Sequence, residues 1–238
     1  PDGLRIARGK ETSRRYASLP GHVRSFCGRC GSVVPGAPGP GEARAFVPAG
    51  LLDADPGARP IAHIFAASRA PWVQLDASIP AFDAWPPGYE AAVVDAPNPG
   101  APEPGVLRGS CLCGGVRFQI EGTPQAMRHC HCSRCRKSRT AACATNLMVD
   151  PDAVRMPAGE EQVESYAVPG ARFFRHIFCR TCGSPLPRID RERGVAVVPA
   201  GALDDAPGLV PTAHIFVASG APWYGIADDL PQHAERPE

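Results

Sequence analysis

Net charge is almost absent from this chain: 25 lysines and arginines against 24 aspartates and glutamates leave +1 at pH 7. That balance excludes the broad basic field by which proteins hold nucleic acid or an anionic membrane surface. Lysine itself is scarce, Lys10 and Lys137 being the two present. No apolar run is long enough to span a bilayer. The chain opens on Pro1 rather than Met, which leaves its natural start open. Also lacking are a Ser–His–Asp arrangement, a phosphate-cradling glycine loop and a dinucleotide fingerprint, since "CLCGGV" carries two glycines but opens no helix. Long amphipathic helices are missing too, as 25 glycines and 28 prolines in 238 residues demand. Such a density favours short strands joined by tight turns. Hydrophobic residues make up 44% of the chain, enough for an ordinary core.

Cysteine, by contrast, is abundant and clustered. Ten are present, in "FCGRCG" at 26–31, "CLC" at 111–113, "CHCSRC" at 130–135 and "FCRTCG" at 178–183, with Cys143 alone. CxC and CxxC clusters put sulfurs close enough to share one metal ion, and cysteines two apart rarely meet disulfide geometry, so metal is expected rather than a disulfide framework.

The chain contains a repeat. Residues 48–72 lie over 199–223 without a gap, with 17 of 25 positions identical, and 1–16 match 151–166 in register. Cys27 and Cys30 then align with Cys179 and Cys182, whereas 106–150 have no counterpart upstream. Three segments follow: the distal half of a first domain over 1–90, a Pro/Gly-rich linker over 91–105, and a complete domain over 106–238. The alignment of Pro1 with mid-domain Pro151 favours upstream sequence lying outside the chain over decay of the duplication. With only two ligands, Cys27 and Cys30 are expected to hold no zinc in the chain as it stands. The expected fold is mainly β, with "VRFQI" (116–120), "FFRHIF" (173–178), "VAVV" (195–198) and "HIFVAS" (214–219) as short strands amid much irregular loop.

Cys111, Cys113, Cys179 and Cys182 suit a closed four-thiolate zinc site, tying together segments about 66 residues apart. Cys130, Cys132 and Cys135 supply three ligands, which leaves zinc a vacant position for water, a carbonyl oxygen or a thiol. His129 or His131 could instead complete that sphere. Cations crowd this stretch: Arg128, Arg134, Arg136, Lys137 and Arg139 lie within twelve residues that contain no acid. Such a patch could hold the carboxylates of an acidic thiol such as glutathione, or merely neutralise the thiolates. His214, Trp223, Trp72 and Cys143 are expected to be core residues first and functional groups second.

The succession "GSCLCGGVRF", "CHCSRCRKS", "FCRTCGSPL", "GALDDAP" and "HIFVASGAPWYGIADDLP" resembles the glutathione-dependent formaldehyde-activating enzyme (GFA domain) family. The resemblance implies a zinc-stapled β-tent, tandemly duplicated, with two zincs per complete domain. The first sits on Cys111, Cys113, Cys179 and Cys182. The second, on Cys130, Cys132 and Cys135, is the catalytic one. It further implies lyase-type carbon–sulfur chemistry, in which glutathione or a similar thiol adds to a small aldehyde such as formaldehyde. Arg134, Arg136 and Lys137 are the candidate residues for the thiol's acidic end. The expected partners are small molecules, not nucleic acid or membrane, in a cytoplasmic protein whose repeats pack together or pair as a homodimer. The competing expectation is a noncatalytic zinc module or a thiol sensor with both metals structural.

Overall fold

Residues 4–19, 22–36, 45–89 and 100–237 are described by a computed structural model. The protein is mainly β. Twelve strands can be followed in chain order: β1 (Ser13–Leu19), β2 (His22–Cys27), β3 (Val106–Ser110), β4 (Arg117–Glu121), β5 (Ala126–Cys130) and β6 (Ala144–Val149). There follow β7 (Val154–Ala158), β8 (Val163–Ala167), β9 (Arg175–Cys179), β10 (Arg188–Asp190), β11 (Val195–Pro199) and β12 (His214–Ile215). One seven-residue helix, α1 (Ser133–Arg139), lies between β5 and β6.

The strands form small sheets. The largest has the order β10–β11–β6–β5–β12, the next β3–β4–β7, and β1–β2 and β8–β9 are two-stranded hairpins. Short strands leave each sheet too small to stand alone, so stability rests on stacking between them. The core does this with Val116, Phe118 and Ile120 from and around β4, Met127 from β5, Leu147 and Val149 from β6, and Val198 from β11, all nearly solvent-free. Alternation holds where one face is covered: β5 buries Met127, His129 and Cys130, while Ala126 and Arg128 stay half-exposed.

The two halves carry matching local structures. A left-handed glycine (Gly9, φ 78°; Gly159, φ 80°) opens a 3-10 turn before each hairpin. Phe65 and Phe216, at φ 58° and 59°, each open the 3-10 turn that ends "HIF(A/V)AS". The long strand expected over 214–219 is therefore only His214–Ile215, because Phe216 turns the chain into the left-handed region.

Other matching segments fold differently. Residues 45–48 align with the end of β11, yet they form no strand, and Phe46 is 77% exposed. β11 exists because β6 pairs with it. Among the described residues, no strand pairs with residues 45–48 as β6 pairs with β11.

The halves pack on one another reciprocally. Phe26, fully buried, lies against Gly183, and Phe178, its counterpart, lies against Gly31. A Cβ at Gly183 would fall 2.6 Å from Cγ of Phe26, and one at Gly31 would fall 2.5 Å from Cγ of Phe178. Both glycines also sit at positive φ, so only glycine gives the turn and the space together. The linker expected over 91–105 lies largely outside the described residues.

Candidate metal centre and active site

Two of the expected cysteine groups come together. Cys111 follows β3 and Cys113 lies in the turn to β4; Cys179 ends β9 and Cys182 lies in the turn after it. Their four sulfurs lie within 4.8 Å of one another, with Sγ–Sγ separations of 3.3 Å for Cys111–Cys113 and 3.8 Å for Cys113–Cys179. A tetrahedron with Zn–S of about 2.3 Å has edges of about 3.8 Å, so this group fits a closed zinc site. The amide of Val116 donates to Cys111 Sγ at 3.2 Å, as a thiolate in such a site requires. A hydrogen bond from Cys111 draws the Cys182 thiol down to about 4, against the cost of burial, and pushes that of Cys111 up. Tyr16, from the first half, packs against this core, and burial together with the nearby sulfurs raises its hydroxyl's pKa.

Cys130, Cys132 and Cys135 form the second group, again with sulfurs within 4.8 Å of one another. Cys130 ends β5, Cys132 caps α1 and Cys135 lies in its first turn. The Cys132 sulfur accepts the Cys135 amide at 3.3 Å. Hydrogen bonds from Cys130 and Cys135 draw the Cys132 thiol down to about 3, and the same bonds push the other two up. One thiolate shared by three sulfurs is a ready metal-binding state, and the three-donor set suits an ion with a free position.

Beside this group lies a cavity of 290 Å³ whose lining includes Cys130, Cys135, Arg128, Arg139, Arg175 and Arg188, with Arg193, Phe173 and His176. Asp190 neutralises Arg188 at 3.0 Å and Arg193 at 3.7 Å. Arg128, Arg139 and Arg175 make no ion pair among the described residues. Arg139 is the most exceptional, because its Nε and Nη1 are buried without a hydrogen-bond partner among the described residues. Burial lowers its pKa to about 10, although the sulfurs of Cys135 and Cys130 oppose the shift. Unpartnered guanidinium groups beside a cavity are what an anionic ligand needs.

Arg134, Arg136 and Lys137, expected to hold that anion, do not line this cavity. Arg136 is buried and donates through Nη1 to the carbonyls of Leu52 (2.6 Å) and Gly50 (3.3 Å). Lys137 pairs with Asp53. All three line a separate 570 Å³ cavity with Cys27, Cys30 and Tyr166. These α1 cations thus face the first half of the chain, where Gly50 lies so close to Thr140 and Ala141 that no side chain would fit. The cavity's arginines come instead from β5, the end of α1, β9, β10 and the turn after it, with Arg236 from the segment after β12. Residues so far apart in the chain leave no local motif.

His129 and His131 point to the side of β5 opposite Arg128 and Cys130, and a third constellation forms there. His131 Nε2 lies 2.7 Å from His214 Nδ1, and His214 Nε2 lies 2.9 Å from Asp228 Oδ1. Since the carboxylate accepts, His214 donates through Nε2 and receives the His131 proton at Nδ1. His129 stacks on His214 with ring centroids 4.8 Å apart and shares a 2.9 Å hydrogen bond with Thr145. His214 is thus a hydrogen-bonded interior residue, 2% exposed. Asp228 went unnoticed in the sequence, where it is one acid of "ADD" near the end. Trp223 is buried and Trp72 is partly buried against the core, whereas Cys143 is only half-buried.

Among known proteins, a sequence model described as "Glutathione-dependent formaldehyde-activating enzyme" matches residues 1–68 and 106–219. A Halomonas elongata protein named "Putative glutathione-dependent formaldehyde-activating enzyme" is 31% identical over 131 residues, spanning 51% of this chain and 81% of that protein. A crystal structure of a Rhodobacter sphaeroides protein aligns over 44% of this chain and 97% of its own, at 28% identity and a TM-score of 0.36. The matched segments bracket both cysteine groups and extend into the first half, and the chain belongs to the glutathione-dependent formaldehyde-activating enzyme family.

Proposed function

We propose that this protein is a zinc-dependent carbon–sulfur lyase-type enzyme that adds an acidic thiol of the glutathione kind to a small aldehyde such as formaldehyde. The observation that carries this reading is the meeting of Cys130, Cys132 and Cys135 with a cavity whose guanidinium groups outnumber its carboxylates. A zinc ion held by these three cysteines would supply a Lewis acid with a position free for a sulfur or a carbonyl oxygen. Cys111, Cys113, Cys179 and Cys182 would hold a second, structural zinc. Arg139, Arg175 and Arg128 bind the thiol's carboxylates, and Phe173, under the guanidinium of Arg193 at 4.2 Å, forms a wall that limits water. Holding thiol and aldehyde together turns a bimolecular encounter into a local one.

We also place the protein in the cytoplasm, whose reducing conditions suit ten unpaired cysteines. We take the chain as a tandem duplication: 1–90 is the distal half of a first domain, 91–105 a linker and 106–238 the complete domain. The repeats pack within one chain. On this reading Cys130, Cys132 and Cys135 would hold the catalytic zinc, while Arg136 and Lys137 hold the first half in place.

Steady-state measurement of glutathione and formaldehyde consumption tests the proposal. The zinc-loaded chain is expected to accelerate S-hydroxymethylglutathione formation above the uncatalysed rate, and Cys132→Ser to abolish the gain while retaining the fold. Equal loss of stability in Cys132→Ser and Cys179→Ser would make both groups structural and leave a noncatalytic zinc module.

A further inference from the structure

The first half of the chain reaches the cavity through one hydrogen bond. His176 in β9 is 2% exposed, and its Nδ1 lies 2.6 Å from the carbonyl oxygen of Cys30. A carbonyl only accepts, so Nδ1 carries the proton. That leaves Nε2 with its lone pair in a neutral ring, and burial, helped by the cation of Arg139, lowers the ring's pKa to about 4. Nε2 is buried and has no hydrogen-bond partner among the described residues. His176 lines two cavities, one also lined by Cys30 and the other by Cys130, Cys135 and Arg139. A buried acceptor without a donor costs about 1–3 kcal/mol, a cost a ligand's proton would remove.

We infer that Nε2 of His176 is the proton acceptor of the cavity, and that the Cys30 carbonyl of the first half fixes the tautomer that makes it one. The inference rests on the thiol-addition reading. In the step, the S–H proton of the bound thiol passes to Nε2, and the sulfur's electron pair forms the bond to the aldehyde carbon. The C=O π pair moves onto oxygen, which then takes the proton back from Nε2 to give the hydroxymethyl thioether. Nothing is oxidised or reduced. The half-domain is therefore a positioning element for the complete one. This fits with Arg136, which ties α1, the bearer of Cys132 and Cys135, to the carbonyls of Gly50 and Leu52.

The test compares His176→Asn and His176→Gln in the zinc-loaded full chain, with glutathione and formaldehyde as substrates. The asparagine amide can keep the donor to Cys30 but offers nothing at Nε2, whereas glutamine can bring an amide oxygen there. His176→Asn is expected to fold, to bind glutathione with KM within about threefold of wild type, and to lose on the order of 10²-fold in kcat. His176→Gln is expected to show the same loss, because an amide oxygen accepts a hydrogen bond but does not take a proton. Ring ¹⁵N NMR of the wild type is expected to show Nδ1 protonated, and Nε2 bare and shifted by glutathione. A His176→Asn kcat within threefold of wild type overturns the inference while leaving thiol addition standing. A protonated Nε2, or one blind to saturating glutathione, overturns it even if His176→Asn fails to fold. A wild-type chain without any rate acceleration removes the thiol-addition reading itself, and this inference with it.

Discussion

Phe26→Ala should destabilise the whole chain, because Phe26 is the first half's largest anchor in the second. Its side chain is fully buried and seats on Gly183, the glycine that directly follows Cys182, one of the four proposed structural-zinc ligands. Burying about 200 Å² of aromatic surface at about 25 cal/mol per Å² amounts to about 5 kcal/mol. Phe→Ala substitutions in packed cores cost about 3–5 kcal/mol, so a loss of about 4 kcal/mol is expected. Phe178→Ala should cost a similar amount, since Phe178 meets Gly31 in the reciprocal contact. Chemical denaturation followed by intrinsic tryptophan fluorescence measures both losses. A Phe26→Ala loss below about 1 kcal/mol would mean the halves do not depend on this packing. The hydrogen bond from His176 to Cys30 would then lose its support as well.

Arg139→Gln is expected to raise the KM for glutathione about 10- to 100-fold, the value of a charged hydrogen bond of about 1.5–3 kcal/mol. The KM for an uncharged thiol should change little, and steady-state kinetics with both thiols checks the contrast. Cys179→Ser should unfold residues 106–238 in far-UV circular dichroism, whereas Cys132→Ser should leave the spectrum native. Stability should also fall with acid. His176, held near 4 when folded against about 6.5 when unfolded, binds its proton more readily in the unfolded chain. Its contribution is intact above pH 6.5 and is lost as pH falls towards 4, by up to about 3 kcal/mol. Denaturation midpoints at pH 7 and pH 4.5 should therefore differ less in His176→Asn than in wild type.

Close-set cysteines were legible in the sequence because covalent spacing already forces their sulfurs together: Cys111 with Cys113, and Cys130 with Cys132 and Cys135. The strand cores "VRFQI" and "VAVV" were legible from their alternating or β-branched character. The destination of the α1 cations was not. Arg136 and Lys137 neighbour Cys135 in sequence, but the helix turns them onto Gly50, Leu52 and Asp53, contacts that depend on tertiary packing. The cavity's Arg175, Arg188 and Arg193 come from strands and turns with no common pattern, so only the fold assembles them. Nor could periodicity show that 214–219 breaks at Phe216, since a left-handed phenylalanine violates its own propensity. The same strained phenylalanine recurs at Phe65, where the aligned histidine His63 has, among the described residues, no equivalent of β5 beside it.

Metal analysis of the purified chain, by mass spectrometry under native conditions and after Cys132→Ser, is the most direct measurement. Two zinc ions per wild-type chain, falling to one in a still-folded Cys132→Ser, are the predicted result. Sulfurs joined in disulfides, or a folded chain that binds no metal when zinc is supplied, would contradict it.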